Sequence, residues 1–170
     1  MDTIILKIRT YGDPCLRKKS KAVKDVGPSE RFLINAMIDT MRSHKGIGLA
    51  APQIGLNEQI FVVDVGDDPF VVINPQITKR TGSDIMEEGC LSIPDVLIKV
   101  KRAEAITVVY KDENNRLVER KCSGLMAKVI QHETDHLNGK LIIDYASLTE
   151  KIKFKKKLLQ LQKSNKGSGS

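Results

Sequence analysis

Apolar positions change their spacing twice along this chain, and each change marks an element. In "GPSERFLINAMIDTMRSHKG" Leu33, Met37 and Met41 recur at four-residue intervals beside Ile34 and Ile38, the spacing of one face of an α-helix. Pro28 near the start and Gly46 after the end are suitable limits for it. Between Gln59 and Lys121 the pattern becomes β-branched runs, "IFVVDV", "FVVINPQI" and "AITVVYKD", punctuated by "GDDP", "TGSD" and "ENN". Such runs read as strands and turns, antiparallel and mixed with loops. Helical spacing then returns: Ser123 is a suitable N-cap for a helix running to Asn138, with Gly139 just past its end. A last helix, "SLTEKIKFKKKLLQLQ", sets Phe154, Leu158 and Leu161 on one stripe and its lysines largely elsewhere. The closing "NKGSGS" has linker composition and reads as partly a foreign addition.

The helix from Ser123 breaks its own pattern. At about 100° of rotation per residue, Leu125, Met126, Val129, Ile130 and Leu137 form one apolar arc, with Lys128, Gln131, Thr134, Asp135 and Asn138 opposite. His136 and Glu133 nevertheless fall inside the apolar arc, and His132 falls at its edge. Burying a carboxylate and two imidazoles is costly unless they are compensated. A divalent metal does this for all three, because imidazoles at i and i+4 project toward one ion and the intervening glutamate can act on a metal-bound water. Backbone carbonyls are the other way to satisfy such groups, and the helix alone leaves that alternative open.

A third ligand is needed. The longer pattern HExxHxxGxxH is followed as far as Gly139, but Ile142 stands where its last histidine would be. His44, the only other histidine, belongs to the end of the first helix, where an exposed imidazole is well placed on the helix dipole. Cys90, in "MEEGCLSIP", is the better candidate, since a thiolate and two imidazoles leave one tetrahedral position open for water. Cys15 and Cys122 read as packing residues. The glycine-rich "GIGLAAPQIG", Gly46 to Gly55, allows close backbone approach, and Gln53 within it carries an amide able to donate to an oxygen.

Composition adds bounds. A chain of 170 residues, 41% hydrophobic and 29% charged, suits one globular domain. No apolar run approaches the roughly 20 residues of a membrane span, and "MDTIILKIRT" does not read as a signal peptide, so a cytoplasmic location without membrane partners is expected. Three cysteines and no export signal argue against a disulfide scaffold. The net charge of +7 is concentrated: from Glu150 onward there are seven lysines and one acid, leaving 21 basic against 20 acidic residues before it. The body is nearly neutral, so DNA binding is not expected, and the tail is basic.

Taken together, "GIGLAAPQIG", "EGCLSIP" and "QHETDHLNG" in this order, with "GDPCLRKKSKAV" near the start, strongly resemble the peptide deformylase family. The resemblance implies an α+β single domain in which antiparallel strands pack around a central HExxH-bearing helix, with an N-terminal helix and a basic C-terminal one. It implies a catalytic domain over 1–149, the basic helix over 150–166 and a flexible tail over 167–170. Metal ligands would be Cys90, His132 and His136, holding one divalent ion, natively Fe2+, with Zn2+, Ni2+ or Co2+ able to substitute. Glu133 would be the acid/base, with the Gln53 side chain and Leu91 backbone N–H as oxyanion donors. Gly48 would lie along the substrate backbone, and Ile47, Leu125 and Val129 would line a methionine pocket, unless these three are plain core. The reaction implied removes the formyl group from the formylmethionine of new polypeptides and releases formate. The lysine-rich helix would then dock on the ribosome, or else be a solvated helix covering an apolar stripe. The chain departs from residues common in the family at Lys45, Leu97 and Lys128, none of them a metal ligand. Rival readings are a zinc peptidase acting on unformylated peptides, a cysteine hydrolase using Cys90, and an RNA-binding module.

Overall fold

The computed structural model describes residues 3–167. The tail segment from 168 lies outside the described residues. Helix α1 (Pro28–Ser43) is followed by strands β1 (Gly48–Ala50), β2 (Ile60–Val63) and β3 (Phe70–Thr81). Then come β4 (Asp84–Cys90), β5 (Ile93–Arg102), β6 (Ala105–Lys111), β7 (Leu117–Ser123), helix α2 (Gly124–Leu137) and helix α3 (Leu148–Lys166). Five strands form one antiparallel sheet in the order β1-β2-β3-β6-β7, and β4 and β5 form a separate hairpin. The fold is α+β, as the resemblance implies.

The sheet is covered on both faces. Leu49, Ile60, Val62, Val71 and Ile73 pack with Ile34, Met37 and Met41 of α1. The alternate residues Ala50, Phe61, Val63 and Val72 pack with Ala127, Val129, Ile130 and Leu137 of α2. All four residues of β2 are therefore buried, which explains its unbroken apolar run. Helix α2 sits at the centre, and Ser123 is its N-cap. Gly139 beyond its end has φ +71, and a Cβ there would meet the Arg17 carbonyl oxygen at 2.5 Å, so only glycine fits.

Helix α1 stops short of Gly46. His44 is its C-cap, with Nδ1 at 2.9 Å from the Thr40 carbonyl, and Lys45 takes the left-handed turn at φ 55. The hairpin β4–β5 is absent from the strands read off the sequence. "DIMEEGC" has no β-branched run, and pairing with β5 rather than local propensity makes it a strand. The inward residues Val96, Ile98 and Val100 of β5 join Leu16, Leu141, Ile142 and Leu158 in a third cluster. Helix α3 is thereby docked on the body: Phe154 and Leu161 flank that cluster, and Asn165 donates to the Tyr11 carbonyl at 2.8 Å. Its first turn is closed by Ser147 and Glu150, each accepting a backbone N–H of the other. Among the described residues no helix is long and apolar enough to cross a membrane.

Candidate metal centre

Two elements meet at the site. Strand β4 ends on Cys90 at a tight turn, while α2 carries His132 and His136 one turn apart. Cys90 Sγ lies 3.3 Å from His136 Nε2, which lies 3.2 Å from His132 Nε2. The three ligand atoms are all within 4.8 Å of one another. His132 Nδ1 lies 3.0 Å from Glu88 Oε2; donation to this carboxylate leaves the Nε2 lone pair facing the sulfur and the second ring. Donor atoms crowded this closely repel unless a proton or a metal cation lies between them. One sulfur and two nitrogens suit a borderline divalent ion with a vacant fourth position.

Burial resists charge on His132, but Cys90 and Glu88 outweigh it and hold the imidazole well above its ordinary pKa. Burial, reinforced by His132, pushes His136 well below. Burial also pushes the Glu133 carboxyl up to about 7, and its Oε2 has no hydrogen-bond partner among the described residues.

Behind the histidines lies a charged network that the sequence reading missed. Arg102 donates to both oxygens of Glu88, at 2.6 and 2.9 Å, and to Asp135 at 2.8 Å. Tyr145 donates its hydroxyl to Asp135 at 2.7 Å, and its ring lies 5.1 Å from the guanidinium carbon. Burial works against the Glu88 carboxylate, yet His132 and Arg102 hold its pKa below the usual value. The alternation of β5 held the signal: Arg102 shares the inward parity of Val96, Ile98 and Val100.

A groove of roughly 580 Å3 opens onto the site. Ile47, Gly48, Gln53, Cys90, Leu91, Leu125, Val129, His132 and Glu133 all border it. His136 alone of the expected site residues is absent from its wall and lies buried behind. Gln53 stands on a 3₁₀ turn, Ala51–Ile54, where its Oε1 accepts the Ala50 N–H at 2.9 Å. Its Nε2 consequently faces Ser92 Oγ at 3.2 Å and Cys90 Sγ at 3.6 Å. Gly48 is tightly constrained, because a Cβ there would strike Oε1 of Glu133 and come within 2.9 Å of its Cδ. Ile47 and Leu125 are half-exposed in the groove, whereas Val129 is buried.

The helical wheel needs one correction. Lys128 and Gln131, assigned to the solvent arc, are buried, and Leu125 of the apolar arc is exposed. The Gln131 amide pairs with the Ala103 N–H and carbonyl at 3.1 and 3.0 Å, and the Lys128 ammonium pairs with Asp84. These partners are remote in sequence and invisible to periodicity.

An HExxH helix packed on antiparallel strands, with a cysteine from a hairpin completing a candidate ligand set, is the arrangement of a metal-dependent hydrolase. The family model for polypeptide deformylase matches residues 5–152. The chain is 41% identical over 162 residues to the peptide deformylase of Thermotoga neapolitana, covering 95% of this chain and 99% of that protein. It is 48% identical over 146 residues to that of Synechocystis, covering 82% and 78% respectively. A crystal structure of peptide deformylase from Thermus thermophilus superposes with a TM-score of 0.90 at 40% identity, covering 94% of this chain and 99% of that one. One from Synechococcus elongatus, in complex with actinonin, gives 0.87 at 41%, covering 92% and 91%. The chain belongs to the polypeptide deformylase family.

Proposed function

We propose that this chain removes the formyl group from the N-terminal formylmethionine of newly made polypeptides, releasing formate. Family membership supports the reading, and the convergence of Cys90, His132 and His136 beside the buried Glu133 is the observation that carries it. These three side chains would hold one divalent ion, Fe2+ in the native protein, with Zn2+, Ni2+ or Co2+ as substitutes that the same donors accept. When bound, such an ion polarises the formyl carbonyl and lowers the pKa of water.

The protein's own groups do the rest. Glu133 takes the proton of the attacking water and later returns it to the departing amine, work of a kind worth about 10²–10⁴-fold in rate. Negative charge grows on the formyl oxygen, where the Gln53 amide and the Leu91 N–H donate, each such donor being worth about 3 kcal/mol. The Ala50 N–H fixes Gln53 so that its NH2 end already faces the site. Strand β1 is an edge strand, and Gly48 at its start lets an extended substrate backbone lie close. Ile47, Leu125 and Val129 would receive the methionine side chain from the same groove. The body over 1–149 would be catalytic, and the basic helix over 150–166 would dock on ribosomal RNA in the cytoplasm.

The test is formate release from a formyl-Met tripeptide, with and without chelator and with Glu133→Ala. The reading expects turnover that chelator abolishes and divalent ion restores, and a loss of at least ~10²-fold in the variant. Turnover that survives chelator but not alkylation would point instead to Cys90 as a nucleophile. Cleavage of unformylated peptides with no formate released would point to a peptidase.

A further inference from the structure

The outward face of the β4–β5 hairpin begins at the catalytic groove and continues beyond it. Successive outward positions along β4 are Gly89, Glu87 and Ile85; along β5 they are Leu97, Lys99 and Lys101, with Glu87 opposite Lys99 and Ile85 opposite Lys101. Glu87 and Gly89 border the catalytic groove, and a Cβ at Gly89 would touch Leu97 at 3.4 Å, so Leu97 stands directly beside the groove's wall. Past Glu87 the same face forms a second groove, of roughly 680 Å3, bordered also by Lys153 and Phe154 of α3 and by Tyr145 and Glu150. Glu87 lines both grooves, so they adjoin along the outward face of the hairpin.

The second groove combines the apolar side chains Ile85, Leu97 and Phe154 with three lysines, Lys99, Lys101 and Lys153. Ile85 and Leu97 are 62% and 53% exposed and supply apolar surface on that face of the hairpin. Among the described residues Lys99, Lys101 and Lys153 form no ion pair. Two acids also line this groove: Glu87, opposite Lys99 on the hairpin, and Glu150, whose carboxylate accepts the Lys99 and Ser147 backbone N–H groups; with Lys99, Lys101 and Lys153 the lining keeps one positive charge in excess. At about 3.3 Å per residue, Ile85 lies about 13 Å along β4 from Gly89, a span that an extended chain covers in about four residues.

We infer that this second groove binds the downstream stretch of the same substrate, an extended segment bearing acidic and apolar residues several positions after the formylmethionine. The inference rests on the deformylation reading and adds a preference that a tripeptide cannot express. Apolar side chains of the segment cover Ile85 and Leu97, and its carboxylates meet the lysine ammoniums. Exposed ion pairs are individually weak and sensitive to salt, so the preference is one of KM and fades as salt rises.

The experiment measures kcat and KM for formate release by the metal-loaded full chain on three substrates sharing their first three residues: a tripeptide, a nonapeptide with Asp and Leu at positions four to nine, and its counterpart with Lys and Leu. The inference expects the acidic nonapeptide to have a KM about fivefold below the basic one at low salt, equal kcat for both, and convergence at high salt. A double variant, Lys99→Gln with Lys101→Gln, should lose most of that difference and keep the tripeptide constants. Equal KM values for the two nonapeptides in the parent chain would overturn the inference, whatever the variant does. A loss of ribosome co-sedimentation in the variant with an unchanged nonapeptide preference would overturn it too, and would assign these lysines to RNA. No formate from the tripeptide would overturn the deformylation reading itself.

Discussion

His132 Nδ1 and Glu88 Oε2 lie 3.0 Å apart, so the strand that delivers Cys90 to the site also orients a ring on the helix facing it. On the proposed reading, Glu88 holds one ring nitrogen as a donor and would thereby keep the other as a ligand. Replacing Glu88 with Ala should leave all three ligands in place yet lower divalent metal affinity about 10–100-fold, as competition with a chromophoric chelator would show. Unchanged affinity would mean that packing alone orients His132.

Arg102 is nearly inaccessible, with its side chain 5% exposed, and it joins Glu88 to Asp135. Desolvation disfavours its charge, but the two carboxylates more than compensate and raise its pKa far above the accessible range. Arg102→Met would leave two carboxylates without their cation, and breaking a buried pair of this kind costs about 3–5 kcal/mol. Urea unfolding of the metal-free protein should register that loss; a change below about 1 kcal/mol would show that water readily replaces the guanidinium.

Gly48 is glycine because Glu133 occupies the space a side chain would need. Gly48→Ala should push that carboxylate away from the groove. Stability should fall by about 1–3 kcal/mol, the ordinary cost of overpacking, while kcat/KM falls about 10²-fold because the acid/base is misplaced. Parallel thermal melts and formate assays separate the two effects.

Helix α3 buries Leu158 and is pinned by Asn165, so deleting it would unsettle the body as well as remove charge. The cleaner test of ribosome docking replaces the exposed Lys155, Lys156 and Lys163 with Gln. Docking predicts weaker low-salt co-sedimentation and a shallower salt dependence, with each lost phosphate contact reducing the slope by about 1. Unchanged co-sedimentation would make α3 a solvated cover for the cluster around Leu158.

The sequence was most informative where function disturbs a local pattern. Glu133 and His136 stood out as polar residues on an apolar helical face, and both are buried in the fold. The runs "IFVV" and "FVVI" were legible as strands, and burial on both sides explains why they do not alternate. What stayed hidden depends on partners distant in the chain. Lys128 is buried because Asp84 reaches it from the start of β4, and β4 itself is a strand because β5 pairs with it. Arg102 could have been recognised as inward-facing from the alternation of β5, but not its meeting with Glu88 and Asp135.

The central claim is that one divalent ion is held by a sulfur and two imidazole nitrogens. X-ray absorption on the purified protein, paired with metal analysis of Cys90→Ala, tests it most directly. One ion per chain should be found, with a sulfur at about 2.3 Å and two nitrogens at about 2.0–2.1 Å for zinc, and the variant should lose the sulfur shell together with most of its metal. Full metal occupancy in the variant, or a parent spectrum without sulfur, would contradict the claim.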